Sequence, residues 1–155
     1  MNKSDNVVLI QNSKLQIQSN EVGVKLRDTE CTIEIKYSGI CSSDIFRGFD
    51  NGAYFYPLVM GHEFSGIISK TGAKVSNFTV GDRVGVFPLL PCFKCDSCIS
   101  QNYQQCSNYK YYGSRNHGGF AKYLNVENWN LIKIPKEIDL KDACLLEPMS
   151  VVVHG

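Results

Sequence analysis

The run Thr32-Ile33-Glu34-Ile35-Lys36-Tyr37 decides the fold class, because apolar and polar side chains alternate along it. A period of two residues places Ile33, Ile35 and Tyr37 on one face of a β-strand. Short runs of the same kind, bounded by Gly, Asp and Asn, recur at residues 7–10, 66–68, 82–86, 119–126 and 131–134. Many short strands and 13 glycines predict a mainly β domain built as a small barrel.

The rest of the chain adds short helices and one turn-rich excursion. Residues 139–145 predict a helix capped by Asp139, and Glu147-Pro148 is typical of the start of another helix. With 155 residues, 43% of them hydrophobic, residues 1–155 are enough for the core of one domain. Residues 88–119 are rich in turns and hold four of the seven cysteines, so we expect them to form a separate lobe.

Charge and hydropathy exclude several classes of partner. The 16 basic and 15 acidic side chains form no basic patch for nucleic acid, and no apolar run is long enough to cross a bilayer. Met1 to Asp5 begin no apolar leader, and an odd number of cysteines argues against a disulfide framework. These features predict a cytoplasmic protein that binds a small molecule and neither nucleic acid nor membrane.

Four cysteines are spaced as one tetrahedral metal site. Cys92, Cys95, Cys98 and Cys106 follow the pattern CxxCxxC with the fourth cysteine eight residues later. A zinc ion needs four thiolates about 2.3 Å away, which a folded loop of this spacing supplies. Two disulfides would need an oxidising compartment, and the bacterial iron–sulfur run has a shorter last spacer followed by Pro, whereas Ser107 follows here. The spacing therefore predicts a structural zinc.

A second set of potential ligands is spread along the chain. Cys41, His62, Glu63 and Glu147 offer a thiolate, an imidazole and two carboxylates. Three such ligands would leave one zinc position open for a substrate oxygen, as catalysis requires. Taken singly, each has an ordinary explanation: a core thiol, a hydrogen-bonded histidine, or a glutamate at a helix start. Spacing alone does not decide whether these residues form a metal site.

Several short motifs follow one another in a distinctive order. Besides the four-cysteine loop, they are Gly39-Ile40-Cys41-Ser42-Ser43-Asp44, Gly61-His62-Glu63-Phe64-Ser65-Gly66, Gly81-Asp82-Arg83-Val84, Gly118-Gly119-Phe120-Ala121 and Glu147-Pro148. In the order and spacing of these motifs, the chain resembles the zinc-dependent medium-chain alcohol and polyol dehydrogenases over nearly its whole length. Residues 51–64, 88–93 and 113–115 look most like the branch that converts galactitol 1-phosphate to tagatose 6-phosphate, with the sorbitol branch next.

The resemblance implies a GroES-like β-barrel catalytic domain with a structural-zinc loop. It implies that Cys41, His62 and Glu147 surround a catalytic zinc, directly or through water, with Glu63 as a nearby or alternative ligand. It also implies a proton relay through Ser43, although Ser42 stands where the family has Gly. The four loop cysteines would then hold the structural zinc.

Two arginines bear on the substrate. Arg47 lies six residues after Cys41, where sorbitol-type relatives tend to have an aromatic residue and the polyol-phosphate branch has Arg. A guanidinium group could bind a phosphate through two parallel hydrogen bonds, and Arg115 is a second candidate. Alternatively, Arg47 covers Phe46 or Phe49 at the surface, and the substrate is a neutral polyol.

The dinucleotide fingerprint GxGxxG does not occur after any strand-like run. The family holds NAD in a Rossmann domain that follows a helix like the one at residues 147–154. We therefore expect this chain to be the catalytic part of a longer NAD-dependent enzyme, a homodimer or homotetramer, and to be inactive alone. The alternative is a non-catalytic zinc-binding GroES-like module.

The remaining distinctive residues predict packing roles. Cys31 and Cys144 are expected to be buried, inert thiols, and Trp129, the single tryptophan, to be a packing anchor. His117 and His154 are expected to be solvated or hydrogen-bonded.

Overall fold

The computed structural model describes residues 5–10, 14–19, 25–50 and 52–154, so the first four residues lie outside the described part. Within these ranges the chain is mainly β, as the sequence predicts. The strands are β1 (Asp5–Ile10), β2 (Lys14–Ser19), β3 (Glu30–Ser38), β4 (Leu58–Val59), β5 (Phe64–Thr71), β6 (Arg83–Val86), β7 (Leu89–Leu90), β8 (Lys110–Tyr111), β9 (Tyr123–Glu127) and β10 (Leu131–Lys133). The helices are α1 (Ser42–Phe49), α2 (Asp96–Ile99), α3 (Leu140–Ala143) and α4 (Leu146–His154).

The central sheet has five antiparallel strands in the order β10-β6-β5-β3-β9. The alternation in β3 works as predicted at its start, where Ile33 lies opposite Ile68 of β5 and is fully buried. Of the two register shifts between β3 and β5, one lies just before Ile33 and the other between Ile35 and Tyr37, so the alternation does not hold to the end and Tyr37 is exposed. The main core lies on this sheet and comprises Cys31, Ile33, Phe64, Ile68, Phe78, Val84, Val86, Tyr112, Leu124, Val126 and Leu131.

A second, three-stranded sheet in the order β2-β1-β4 packs beside the first one. Leu9 of β1 and Leu58 of β4 are fully buried, together with Met60. A third pair, β7 with β8, carries Leu89 opposite Tyr111. The segment after β4 and the end of β8 meet, since the rings of His62 and Tyr111 lie 5.8 Å apart.

The strand predicted at residues 119–126 is shorter than expected. It begins only at Tyr123, because residues 118–120 bond to the chain after β4 instead of joining the ladder. The N–H groups of Gly118, Gly119 and Phe120 donate to the carbonyl oxygens of residues 59, 61 and 60 over 2.8, 2.8 and 2.9 Å. This contact fixes the loop that carries His62 and Glu63.

The two predicted helices are present with different bounds. Asp139 caps α3 by accepting from the N–H of Lys141 over 2.8 Å, as expected from its position. The helix ends after one turn, at Ala143, and α4 begins at Leu146, one residue before Glu147. Cys31 and Cys144 are buried as predicted. No helix in the described part of the chain is long and apolar enough to cross a membrane.

Candidate active site and metal centres

The four loop cysteines come together as one cluster. All four sulfur atoms lie within 4.8 Å of one another, and the Cys92–Cys98 and Cys95–Cys106 sulfurs are each 3.9 Å apart. Four ligands about 2.3 Å from a tetrahedral zinc stand about 3.8 Å from each other. The cluster therefore fits a zinc ion, and its cysteines are free thiols without disulfides.

The backbone of this loop is arranged to favour thiolates. Phe93 and Gln101 take positive φ angles of 57° and 62°, which let the chain turn tightly around the sulfurs. Backbone N–H groups of Cys98 and Ser107 lower the pKa of Cys95 to about 6. Backbone hydrogen bonds likewise lower the pKa of Cys92. Burial, by contrast, raises the pKa of Cys98 to about 12. The loop therefore favours the thiolate form at Cys92 and Cys95, which suits them to hold a cation.

An aromatic cluster joins the cysteine loop to the barrel. It consists of Phe87, Phe93, Tyr103 and Trp129. The ring of Trp129 lies 5.2 Å from that of Phe93, 5.4 Å from Tyr103 and 5.7 Å from Phe87, edge-on or tilted in each case. Such arrangements are the favourable ones for aromatic pairs. Trp129 thus has the anchoring role predicted for it, because it contacts residues of the loop and of the barrel.

A second cluster contains three of the dispersed ligands. The Cys41 sulfur, a His62 ring nitrogen and a Glu63 carboxylate oxygen lie within 4.8 Å of one another. Cys41 precedes α1, whereas His62 and Glu63 lie between β4 and β5. The hydrogen bond from the N–H of Gly39 to the carbonyl oxygen of Glu63, 2.7 Å long, ties the two segments together. One thiolate, one imidazole and one carboxylate are a ligand set that fits zinc.

Two glycines make room for this cluster. Gly61 has a φ of +89°, and a Cβ there would come within 2.6 Å of the Phe120 ring. A Cβ on Gly39 would collide with the carboxylate of Glu63. A side chain at Gly39 would therefore displace a potential ligand, whereas a side chain at Gly61 would displace the Phe120 ring beside the loop that carries His62.

Asp44 contacts two members of the cluster, Cys41 and His62. One of its carboxylate oxygens accepts from the N–H of Cys41 over 3.1 Å, and the other lies 3.6 Å from Nδ1 of His62. Burial lowers the pKa of His62, but Asp44 outweighs it and raises that pKa to about 9. The carboxylate thus orients the imidazole and adds negative charge behind it.

Ser43 lies beside the Cys41 thiol. Burial raises the pKa of Cys41, but hydrogen bonds from the backbone and hydroxyl of Ser43 outweigh it, so the pKa is lowered overall. The Ser43 hydroxyl oxygen also accepts from Nη1 of Arg47 over 3.0 Å. Ser43 therefore connects the thiol to a charged side chain in the adjacent cleft.

Glu147 is not part of the three-ligand cluster. Its Oε1 accepts a hydrogen bond from the Tyr111 hydroxyl over 2.9 Å. It remains close enough to influence Glu63, whose pKa is raised by burial and by the Glu147 charge against the opposing effect of His62. Burial and Glu147 also raise the pKa of Tyr111 above its ordinary value, so the phenol keeps its proton.

A cleft of about 750 Å³ extends from Glu147 and Tyr111. Both predicted substrate residues, Arg47 and Arg115, line it. The Arg115 guanidinium is held between the rings of Tyr54 and Tyr109, 4.3 and 4.2 Å from their centroids.

Among the described residues, neither of these arginines has an ion-pair partner. Arg47 donates to the carbonyl and hydroxyl oxygens of Ser43, and its Nε is buried without a hydrogen-bond partner. No described carboxylate forms an ion pair with Arg47 or Arg115, although the Glu147 carboxylate lines the same cleft. In this part of the chain, the cleft thus presents two guanidinium groups that are free to bind an anion.

Sequence reasoning assigned no role to four residues of the site, namely Asp44, Tyr54, Tyr109 and Tyr111. Asp44 could have been found, because an acidic residue three positions after Cys41 matches a helix-capping pattern. Tyr54 and Tyr109, which hold Arg115, carry no sequence signal. His117 accepts from the N–H of Val59 over 3.3 Å and so has a hydrogen-bonding role, whereas His154 lies at the exposed end of α4.

Residues 27–136 match the family model described as the alcohol dehydrogenase GroES-like domain. The chain belongs to this family. Galactitol 1-phosphate 5-dehydrogenase of Escherichia coli is 39% identical over all 155 residues, which are 43% of that protein. Sorbitol dehydrogenase of Halalkalibacterium halodurans is 37% identical over 124 residues, covering 79% of this chain and 36% of that protein.

The fold of this GroES-like domain has a close counterpart among solved structures. A crystal structure of galactitol-1-phosphate dehydrogenase from Escherichia coli superposes with a TM-score of 0.92 and 37% identity, over 97% of this chain and 43% of that one. The chain therefore spans less than half the length of the relatives it matches.

Proposed function

We propose that this chain is the catalytic domain of a zinc-dependent, NAD-using polyol-phosphate dehydrogenase. The enzyme would oxidise a secondary alcohol of a phosphorylated sugar alcohol to a ketone, the reaction type of the galactitol 1-phosphate relative. The observation that carries the proposal is the pair of arginines without a described ion-pair partner, Arg47 and Arg115, in a cleft that begins beside the Cys41–His62–Glu63 cluster. A substrate with an alcohol at one end and a phosphate at the other matches that arrangement.

In this proposal, different residues around the cluster would bind the metal and transfer the proton. Bound zinc would supply a Lewis acid that polarises the alcohol oxygen. Cys41, His62 and Glu63 would hold the ion, with Glu147 at the rim of the site. The Ser43 hydroxyl would pass on the alcohol proton, since it lies beside Cys41 and is oriented by Arg47. The four loop cysteines would hold a structural zinc in a lobe of residues 88–119.

The arginines would recognise the phosphate in different ways. Arg115 is held rigid by two tyrosine rings, so little side-chain entropy is lost when it binds an anion. Arg47 has an unsatisfied Nε, which needs a hydrogen-bond acceptor. A phosphate with three acceptor oxygens can satisfy both guanidinium groups.

The proposal also concerns the whole protein. The dinucleotide-binding motif GxGxxG does not occur in these residues, and a Rossmann domain outside this chain would supply the nicotinamide site. The free thiols fit a cytoplasmic enzyme, since the cytoplasm keeps cysteines reduced. By likeness to the family, the full enzyme would be a homodimer or homotetramer.

Steady-state kinetics of the full-length protein would test the substrate. We expect Arg47→Ala and Arg115→Ala each to lower kcat/KM for a polyol phosphate by about 2 kcal/mol, or ~30-fold, because a charge-assisted hydrogen bond is lost. Activity on the matching unphosphorylated polyol should be spared in Arg115→Ala. In Arg47→Ala it should fall, because Ser43 loses its hydrogen bond, but by less than activity on the phosphate. Arg47→Lys should recover part of the loss, because it keeps the charge without the forked geometry.

The matched control is Lys74→Ala, which removes one positive charge at an exposed ion pair with Asp28. It should change neither substrate's kinetics. Equal losses on the phosphorylated and neutral polyols in the arginine variants would instead favour a neutral polyol as the substrate. No activity on any polyol, with zinc confined to the four-cysteine loop, would favour a non-catalytic module.

A further inference from the structure

Tyr111 contacts two residues of the site, Glu147 and His62. Its hydroxyl donates to Oε1 of Glu147 over 2.9 Å, and its ring meets that of His62 edge-on with centroids 5.8 Å apart. Glu63, by contrast, lies with Cys41 and His62 in the three-ligand cluster. The side chain of Tyr111 therefore contacts one carboxylate and one member of the cluster.

The backbone holds Tyr111 firmly in this position. It pairs with Leu89 in the β7–β8 ladder. Its carbonyl oxygen accepts from the N–H groups of Ser114, Arg115 and Asn116 over 3.3, 3.0 and 3.0 Å. A residue fixed on both sides has little freedom to move its ring, so the hydroxyl is a preorganised donor to Glu147.

The number of carboxylates that reach the metal decides whether the site can react. Three protein ligands leave a tetrahedral zinc one position for substrate, whereas four close it. Cys41, His62 and Glu63 already make three. Glu147 would be a fourth if its carboxylate turned inwards, and its charge is already felt by Glu63.

We propose that Tyr111 is a positioning residue that keeps Glu147 out of the ligand set and so leaves the fourth metal position open. This inference rests on the proposed zinc site at Cys41. A carboxylate oxygen that accepts the phenolic hydrogen can reach the metal only by giving up that bond, which lies half-buried at the edge of the cleft. Removing the hydroxyl removes this restraint.

The test uses the full-length protein with its structural zinc retained and cobalt bound at the Cys41 site. Metal affinity is measured by competition with a chelator, and coordination is read from the cobalt absorption spectrum. Glu63→Gln should weaken binding about tenfold or more, and Glu147→Gln by less than about twofold.

Tyr111→Phe should strengthen binding by several-fold and alter the cobalt spectrum, because Glu147 becomes a ligand. Glu147→Gln added to Tyr111→Phe should then abolish both changes. Tyr112→Phe is the matched control, since Tyr112 is the buried neighbour whose hydroxyl accepts from the N–H of Glu127, away from the site. It should leave affinity and spectrum unchanged.

Two results would overturn the proposal: Glu147→Gln alone weakening binding as much as Glu63→Gln, or Tyr111→Phe leaving affinity and spectrum unchanged. A lower melting temperature with an unchanged spectrum would show a merely structural role and would count against it equally. If Glu63→Gln does not fold, Gly39→Ala displaces the same carboxylate without changing its chemistry. If instead the proposed zinc site at Cys41 does not exist, Cys41→Ser should leave cobalt affinity unchanged. That result would contradict the proposed function and not only the role of Tyr111.

Discussion

At the level of single residues, Gly39 governs the position of Glu63. A Cβ at Gly39 would strike the Glu63 carboxylate and come within 3.2 Å of the Glu63 Cβ. We expect Gly39→Ala to move that carboxylate out of the cluster and to lower metal affinity at the Cys41 site by about 10- to 100-fold. Zinc in the four-cysteine loop should be retained. Isothermal titration with metal, after chelation of the weaker site, measures this.

A matched glycine provides the control for this prediction. A Cβ at Gly48 in α1 would meet only ordinary contacts at 3.8 Å. Gly48→Ala should therefore leave metal affinity unchanged and stabilise the helix by about 0.5–1 kcal/mol. Equal metal affinities in the two alanine variants would show that Glu63 is not a ligand.

Thiol reactivity at Cys31 and Cys95 should differ strongly once zinc is removed. Burial, aided by the charge of Asp82, raises the pKa of Cys31 to about 11, whereas that of Cys95 is about 6. The thiolate is the reactive form of cysteine. At pH 8 most of Cys95 is therefore thiolate, whereas the thiolate fraction of Cys31 is only roughly one part in a thousand. Alkylation followed by peptide mass spectrometry should label Cys95 first.

Reactivity of Cys31 should appear only when the pH approaches 11 or the protein is unfolded. Labelling in denaturant provides the reference for full access to all seven cysteines. Equal rates for Cys31 and Cys95 in the folded chain at pH 8 would contradict the burial of Cys31 in the central sheet.

At the level of elements, the cysteine loop and the barrel are joined through Trp129. Its ring contacts Phe93, which lies between two zinc-ligand cysteines, and Tyr103 near the fourth. We expect zinc removal to loosen residues 92–106 and leave the central sheet folded, since metal binding is folding free energy for this loop alone. The emission of Trp129 should then shift to longer wavelength, while far-ultraviolet circular dichroism changes little.

A variant that cannot complete the site should show the same change without chelator. Cys98→Ser removes one buried ligand, so its Trp129 emission should already be shifted and should not respond to chelation. An unchanged emission in the chelated wild type, or loss of the whole fold, would contradict the view that the loop is a local unit.

At the level of the whole molecule, helix α4 presents an uncovered apolar surface beside the proposed catalytic site. Helix α4 carries Glu147 and exposes Met149, Val151, Val152 and Val153, each at least 60% accessible. We expect a helix with this much exposed apolar surface to be held loosely and a metal site at its edge to be poorly preorganised. The four-cysteine loop is not part of this helix, so we expect its metal site to be better preorganised.

The isolated 155-residue chain should therefore hold about one chelator-resistant zinc and not two. It should not reduce NAD with any polyol, because hydride transfer needs a dinucleotide site. Metal analysis after dialysis against a mild chelator, and absorbance of NADH, measure the two outcomes. Two equally resistant ions, or measurable NAD reduction, would contradict the proposal that a further domain completes the enzyme.

Much of this protein follows from its sequence because the relevant signals are local. The alternation at Ile33, the cap at Asp139 and the spacing of the four cysteines each depend on residues a few positions apart, where chain geometry fixes the outcome. The order of the motifs likewise predicted the family, which the match over residues 27–136 confirms. These features needed no knowledge of long-range packing.

Only the tertiary structure could decide which dispersed residues meet. The sequence offers Cys41, His62, Glu63 and Glu147 as equal candidates, and the resemblance favours Glu147. In the fold, Glu63 joins the cluster and Glu147 is held by Tyr111, a residue without any motif. Tyr111 reaches Glu147 because β8 pairs with β7 and α4 starts beside them, and such contacts between distant segments leave no periodic or spacing signal in the chain.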